Sequence, residues 1–292
     1  MYVLLQATFF LDLVSTANYK VGHSWVKVEV VMRNPCIFFS IVILALGNSI
    51  GAQAPPQRDP EAAAILRESC LAMGGPVASG ISDMTLLGNV TEYGDSKVSQ
   101  GAFSFKLNGP EKNRTDFTLD GRVVASVING TKGAEHRGTE QKRLPYHAIL
   151  NRRPEYVPML TEVCEWGNPL YRAEFLGLES LDGRSVYHIR VEKEFPGRKA
   201  DRAAILSELS AADLFVDSTA FLLIKRSRRV PSIANLRRTI LVEQTYQDFR
   251  PISSVVIPHR VITYVRGQKA SEVIITSVSF NTGLSPAEFE VR

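Results

Sequence analysis

Residues 101–121 read GAFSFKLNGPEKNRTDFTLDG, and their pattern decides the fold class. Phe103, Phe105 and Leu107 alternate with Ser104 and Lys106, and Phe117 and Leu119 flank Thr118. Apolar side chains at that period of two fall on one face of a β-strand. Asp120-Gly121 closes the stretch with a pair suited to a two-residue hairpin turn. The same texture continues on both sides. Met84–Tyr93, Gly101–Leu107, Arg114–Leu119 and Val123–Asn129 are short runs bounded by Gly94-Asp95, Asn108-Gly109-Pro110, Asp120-Gly121 and Asn129-Gly130. This half of the chain therefore reads as a meander of antiparallel strands.

The pattern returns later in Tyr171–Leu181, Arg184–Val191, Asp213–Lys225, Ile240–Phe249, Val255–Val265 and Ala270–Phe280, with turns at Asp182-Gly183 and Arg266-Gly267-Gln268. Between the two halves, Lys132–Arg143 is polar and contains glycine, which predicts a loop. Leu144–Trp166 is broken by Pro145, Pro154 and Pro158 and predicts one or two short helices lying across a sheet. Ala203, Ile205, Leu206 and Leu209 predict a short helix in a long connection. The total is about ten strands and roughly two to four helices without βαβ alternation, which makes the chain mainly β, or α+β with an antiparallel sheet.

Upstream, Asp59-Pro60-Glu61 opens a helix. Asp59 caps its free N–H groups, Pro60 suits the first turn and Glu61 suits the positive end. Ala62, Ile65, Leu66, Ser69 and Met73 recur at helical spacing, and Gly74-Gly75 ends the helix. Before it, Met32-Arg33-Asn34-Pro35 precedes an apolar run from Cys36 to Leu46 and then small residues through Ala54. A charged start, an apolar stretch and small residues are the parts of a secretory signal peptide, and the run is shorter than the ~20 residues of a spanning helix. The expected organisation is an extension ahead of the true start (1–31), a signal peptide (32–54) and one domain (55–292). An uncleaved membrane anchor is the alternative.

Net charge is +4, and residues 1–54 contribute almost evenly to both signs, so nothing here calls for nucleic acid. His23, His136, His147, His188 and His259 stand singly. The chain has no HExxH, CxxC, GxSxG or phosphate-binding glycine loop, so no metal, cofactor or catalytic residue is expected. In an exported chain Cys70 and Cys164 are expected to form a disulfide, with two buried thiols as the alternative. The most basic segment is Lys225, Arg226, Arg228 and Arg229, followed by Arg237 and Arg238. It reads either as a patch for an acidic partner or as a solvated hairpin around Pro231-Ser232.

The C-terminal half carries a resemblance. Phe215-Val216-Asp217-Ser218-Thr219 runs into the aliphatics Leu222-Leu223-Ile224, and Tyr246-Gln247-Asp248-Phe249 is followed by Ile257-Pro258. The chain ends in Phe280-Asn281-Thr282-Gly283-Leu284 and Pro286-Ala287-Glu288-Phe289. This ending is similar to that of the periplasmic outer-membrane lipoprotein carriers, the LolA-like lipoprotein-sorting superfamily. The Lys132–Arg143 stretch and the cysteine pair mark a divergent member. The resemblance implies a half-barrel, a strongly curved antiparallel sheet with helices closing its concave side over an apolar cavity. It also implies a non-catalytic periplasmic carrier of lipoprotein acyl chains or another lipid-like ligand. Ile65, Leu66 and Met73 on the helix are the expected cavity residues. The alternative is a cell-envelope interaction module that uses the basic segment on the same scaffold, and release outside the cell is the alternative to the periplasm.

Overall fold

A computed structural model gives the architecture and describes residues 15–21, 24–30, 59–78, 80–109, 111–145, 148–149, 156–157, 163–231 and 238–291. The proposed signal peptide, Arg237 and most of the proline-broken Leu144–Trp166 segment lie outside the described residues. The chain divides into two compact units, 1–52 and 53–292. In the first, β1 (Ser15–Val21) and β2 (Ser24–Val30) form an antiparallel hairpin, with Ser15 opposite Val30 and Val21 opposite Ser24.

The second unit opens with α1 (Pro60–Ala72). A first meander follows: β3 (Asp83–Tyr93), β4 (Val98–Asn108), β5 (Lys112–Leu119), β6 (Arg122–Asn129), β7 (Lys132–Arg137) and β8 (Glu140–Arg143). After a 3-10 turn at Cys164–Gly167 the second meander comprises β9 (Tyr171–Leu181), β10 (Arg184–Lys193), β11 (Ala212–Asp217), β12 (Leu223–Pro231), β13 (Thr239–Ile252), β14 (Val255–Val265) and β15 (Gln268–Phe280). The helix α2 (Ala200–Ser210) lies between β10 and β11. All thirteen strands join one antiparallel sheet in the order β8-β7-β6-β5-β4-β3-β15-β14-β13-β12-β11-β10-β9. Every neighbour is a sequence neighbour except β3 with β15, which joins the two meanders. The sheet is open, with β8 and β9 as its edges, and makes the half-barrel.

Local chemistry explains the joints. Asp120-Gly121, Asp182-Gly183 and Arg266-Gly267 all have positive φ at both residues, the geometry that matches the twist of paired strands. Ser253-Ser254 does the same without a glycine, which composition does not announce. At Gly88 and Gly101 a Cβ would lie 2.1 Å from the Ile274 carbonyl oxygen and 1.6 Å from that of Thr118. Neighbouring backbone occupies the place of a side chain, which lets the sheet bend there.

Two expectations are corrected. Lys132–Arg143 is not a loop but the β7–β8 hairpin at one sheet edge. An edge strand needs no apolar alternation, and charge on it discourages further pairing. Asp213–Lys225 is not one strand. The Asp217 carboxylate accepts from the N–H groups of Thr219, at 2.9 Å, and Ala220, at 2.8 Å, and turns the chain between β11 and β12.

The core lies on one face of the sheet, called here the inner face. Met84, Leu86, Val90, Phe103, Phe105, Leu107, Ile189, Leu214, Tyr246, Val261 and Val273 belong to it, packed with Ala62, Ile65, Leu66 and Met73 of α1. The C-terminal tail covers part of the sheet near β5 and β6, with Phe289 buried at its end. Asp83 fastens the start of that tail. Its carboxylate accepts from Thr282 N and Oγ1, at 2.8 and 2.9 Å, and from Gly283 N at 2.9 Å.

Candidate functional site

Residues directly opposite each other in an antiparallel sheet share a face, so the strand register sorts the inner face into rows. One row is apolar: Tyr246, Val261, Val273 and Val90. Beyond it lie Gly88, Phe103 and Phe117, then Leu86 with Phe105 and Met84 with Leu107. The adjacent row on the other side is polar. It starts from Leu214 and runs Arg226, Gln244, Thr263, Ser271, Glu92 and Ser99, one residue from each of six neighbouring strands. The inner face is thus amphipathic from end to end of the strands, with a broad apolar floor and a polar band toward the Arg266-Gly267 turn.

Arg226 is the least expected member. It is 2% exposed, and Gln244 beside it is equally buried. Tyr246 donates its hydroxyl toward Gln244 Oε1 at 3.4 Å. Arg228 follows on the same face, opposite Ala212 and Val242. The two arginines, Gln244 and Tyr246 are all engaged by contacts in the structure.

The apolar floor has two covers. Tyr156 sits over Phe103 and Phe105, with ring centroids 4.8 and 5.5 Å away, and Val157 and Val163 beside it are fully buried. The second cover is α1, held at both ends. At its start Asp59 Oδ1 accepts from Glu61 N at 2.9 Å, while Oδ2 accepts from Phe175 N on β9 at 3.0 Å. The Phe175 N–H above all, with the N–H groups of the first helical turn, holds the Asp59 carboxyl below the usual carboxylate range. At its end the Met73 carbonyl accepts from Val256 N at 3.2 Å. Cys70 and Cys164 form the expected disulfide, with Cα atoms 5.0 Å apart, so the two covers are covalently joined. Gly75 leaves room for it, since a Cβ there would lie 2.2 Å from Cys70 Sγ and 3.0 Å from Cys164 Sγ.

The structure places Ile65, Leu66 and Met73 together in the core beneath α1, buried against the apolar floor. It does not bring the basic residues together on one surface. Arg226 and Arg228 point to the inner face, whereas Lys225 and Arg229 take the outer one. There Lys225 pairs with Glu243 at 2.7 Å and lies 5.2 Å from the Phe215 ring. Arg238 is exposed at the far end of the connection into β13. Strand alternation thus divides Lys225, Arg226, Arg228 and Arg229 between the two faces, while Arg237 and the rest of the stretch 232–237 lie outside the described residues. His188, one of the singly standing histidines, also lies on the outer face. It stacks on Phe215 at 4.4 Å, with Nδ1 2.6 Å from Glu179 Oε1 and Nε2 3.6 Å from Asp213 Oδ1. His259 is buried, its Nδ1 3.1 Å from the Ile257 carbonyl oxygen. Among the described residues no three of His, Cys, Asp and Glu converge on a metal position, and no helix is long and apolar enough to cross a membrane.

No family model and no curated protein matches the chain by sequence. Solved structures match by fold. A putative outer membrane lipoprotein-sorting protein domain from Vibrio parahaemolyticus aligns over 78% of this chain and 96% of its own, at 12% identity and a TM-score of 0.50. A LolA superfamily protein from Nitrosomonas europaea aligns over 79% and 97%, at 16% identity and a TM-score of 0.50. A DUF1329 family protein from Desulfovibrio piger aligns over 78% and 97%, at 12% identity and a TM-score of 0.50. The open half-barrel is therefore a LolA-like fold.

Proposed function

We propose that this protein is an exported, non-catalytic carrier that binds a lipid or the acyl chains of a lipoprotein on the inner face of the half-barrel. The observation that carries the reading is the amphipathic inner face, in which contiguous apolar rows, covered by α1 and the Tyr156–Val157 segment, meet one polar band. An acyl chain laid over the apolar rows is withdrawn from water at about 0.8 kcal/mol per CH₂. The polar band offers hydrogen bonds to the head group that a chain-binding surface otherwise lacks. Ile65, Leu66 and Met73 supply the opposing wall. The likeness to lipoprotein-sorting proteins supports this choice of ligand class, and the signal-peptide pattern of residues 32–54 supports the periplasm as its place of work.

Native mass spectrometry tests the reading on protein exported by cells expressing the full chain and purified without detergent. A bound mass that extracts into organic solvent, or uptake of added phospholipid or fatty acid, is the expected result. A clean apo mass with no uptake would overturn it.

A further inference from the structure

We infer that the free end of β9, residues 177–181, is a docking edge for an extended peptide of another protein, one that alternates apolar residues with Lys or Arg. The two edges of the sheet differ. At β8 all four residues, Glu140–Arg143, are polar and exposed, which discourages further pairing. β9 is eleven residues long and shows Leu176 and Leu178 to solvent, 45% and 62% exposed. An edge of that kind is a template for another strand. Its first half already takes backbone bonds from outside the sheet. Asp59 N donates to the Ala173 carbonyl at 3.2 Å, and Phe175 N donates to the Asp59 carboxylate at 3.0 Å.

Register fixes what the second half offers. Leu181 and Arg184 close the two-residue Asp182-Gly183 turn, so they exchange both ladder bonds. Bonded and non-bonded pairs alternate in an antiparallel ladder. Glu179 and Gly177 therefore bond to β10, whereas the N–H and C=O of Ser180 and Leu178, opposite Ser185 and Tyr187, point away from it. Among the described residues none bonds to those groups. A strand added there sets residues against Leu178 and Ser180 with their side chains on the inner face. They would lie beside exposed Leu178 and the Phe175–Tyr187 ring pair, whose centroids are 6.0 Å apart.

The residue between them faces Glu179 on the outer face. The acids of β9, Glu174 and Glu179, are both exposed there, and Asp59 adds a carboxylate at the same edge. The cations nearby are largely engaged: Arg172 with Glu192 at 3.4 Å and Arg190 with Asp213 at 3.2 Å, while His188 meets Glu179 from the β10 side and Arg184 stands at the turn. A lysine or arginine opposite Glu179 is favoured and an acid is opposed. A second copy fits poorly, because the register that uses both Leu178 and Ser180 sets Glu179 directly against its own counterpart.

The test uses a short fluorescein-labelled peptide of alternating valine and lysine, its valine–glutamate counterpart, and fluorescence anisotropy with exported protein from the full chain. The valine–lysine peptide is expected to bind saturably and about tenfold more tightly than the glutamate peptide, the scale of cross-strand pairs turned from attractive to repulsive. N-methylation of its valines, whose N–H groups face β9, should abolish binding, and N-methylation of its lysines should not. Ser180→Pro removes one outward N–H, leaves the ladder to β10 whole and should weaken binding by about tenfold. No saturable binding, equal binding of the two peptides, or binding indifferent to valine N-methylation would overturn the inference. So would wild-type binding by Ser180→Pro that circular dichroism shows to be folded; should it be unfolded, the methylation pattern on the wild type decides. A wild-type dimer that Ser180→Pro returns to monomer would give the edge to a second copy and overturn the peptide partner.

Discussion

Opening the Cys70–Cys164 disulfide should destabilise the second unit by an amount the sequence separation sets. The bridge closes a loop of 94 residues. The loop-closure entropy removed from the unfolded chain grows with the logarithm of that length and amounts to ~4.7 kcal/mol for a loop near 100 residues. Residual structure in the unfolded chain reduces the gain, so the expected loss is about 3–5 kcal/mol. With a urea slope of about 2–3 kcal/mol/M, reduction should lower the unfolding midpoint by about 1.5 M. The assay is urea unfolding followed by far-UV circular dichroism, with and without reductant, on the wild type and on Cys70→Ala/Cys164→Ala. The double variant should fall slightly below the reduced wild type, because trimming the buried Cys70 adds about 1 kcal/mol. It should also be indifferent to reductant. A midpoint that does not move on reduction, or two thiols that alkylate in the untreated native protein, would refute the reasoning.

Other outcomes follow from individual contacts. Asp59→Ala removes both the α1 cap and the bond to β9 and should cost about 1–2 kcal/mol, whereas Asp59→Asn, which still caps, should cost less; thermal unfolding at neutral pH separates them. Gly75→Ala places a Cβ in the space of the disulfide, and should leave a larger fraction of protein with free thiols, measured by alkylation and mass. Asp83 is subject to opposing effects: burial pushes its carboxyl up, but the Thr282 and Gly283 N–H groups and the Thr282 hydroxyl outweigh it and hold it below the usual range. Its contribution is therefore complete above the unfolded value near 3.9 and is lost as pH falls through the lower folded value. The stability gap between wild type and Asp83→Asn should be constant at neutral pH and close only in strong acid; a gap that closes near pH 6 would contradict this. Phe289→Ala, at the buried end of the tail, should cost about 3–5 kcal/mol in urea unfolding.

Much of the architecture was legible because hairpins are local. Phe103, Phe105 and Leu107 alternate as a strand must, and the Asp-Gly pairs mark turns whose dihedrals few other pairs adopt easily. The α1 face was legible, since Ala62, Ile65, Leu66, Ser69 and Met73 are all buried, with Cys70 joining them. The disulfide followed from the expectation of export and the count of two cysteines beyond residue 54. The polar band was not legible, and the reason is a single bulge. Leu223 and Arg226 share the inner face although an odd number of residues apart, because Ile224 is an extra residue between the pairs Val216–Leu223 and Phe215–Lys225. A period-two count from Leu223 puts Lys225 and Arg229 inside and Arg226 and Arg228 outside, the reverse of the faces they take. Nor does composition show that Gln244, Thr263, Ser271, Glu92 and Ser99 line up with it, since the row is assembled by register across strands far apart in sequence.

The fastening of α1 bears on how a ligand reaches the inner face. The helix α1 is tied at three points: Asp59 to the β9 backbone, Cys70 to Cys164, and the Met73 carbonyl to Val256 N. Lifting it would also expose Ile65, Leu66 and Met73, which at about 1.5–3 kcal/mol each adds roughly 5–9 kcal/mol before any hydrogen bond is counted. Minor conformations that ligands select usually lie within a few kcal/mol of the ground state. Entry by displacement of α1 is therefore disfavoured on energy as well as on covalent geometry. The edge at β9 and β10 is built differently. Phe175, Tyr187 and Phe221 form a half-exposed aromatic cluster there, with centroids 6.0 and 5.9 Å apart, and Leu178, opposite Tyr187, is 62% exposed. On the proposed lipid-binding reading, this lip is the predicted entrance, with α1 left in place. Replacing Leu178 with Glu should then slow uptake of cis-parinaric acid in stopped-flow fluorescence by several fold, about the effect of one charge set in an apolar path, while leaving the urea midpoint unchanged. Uptake at the wild-type rate by Leu178→Glu would move the entrance elsewhere.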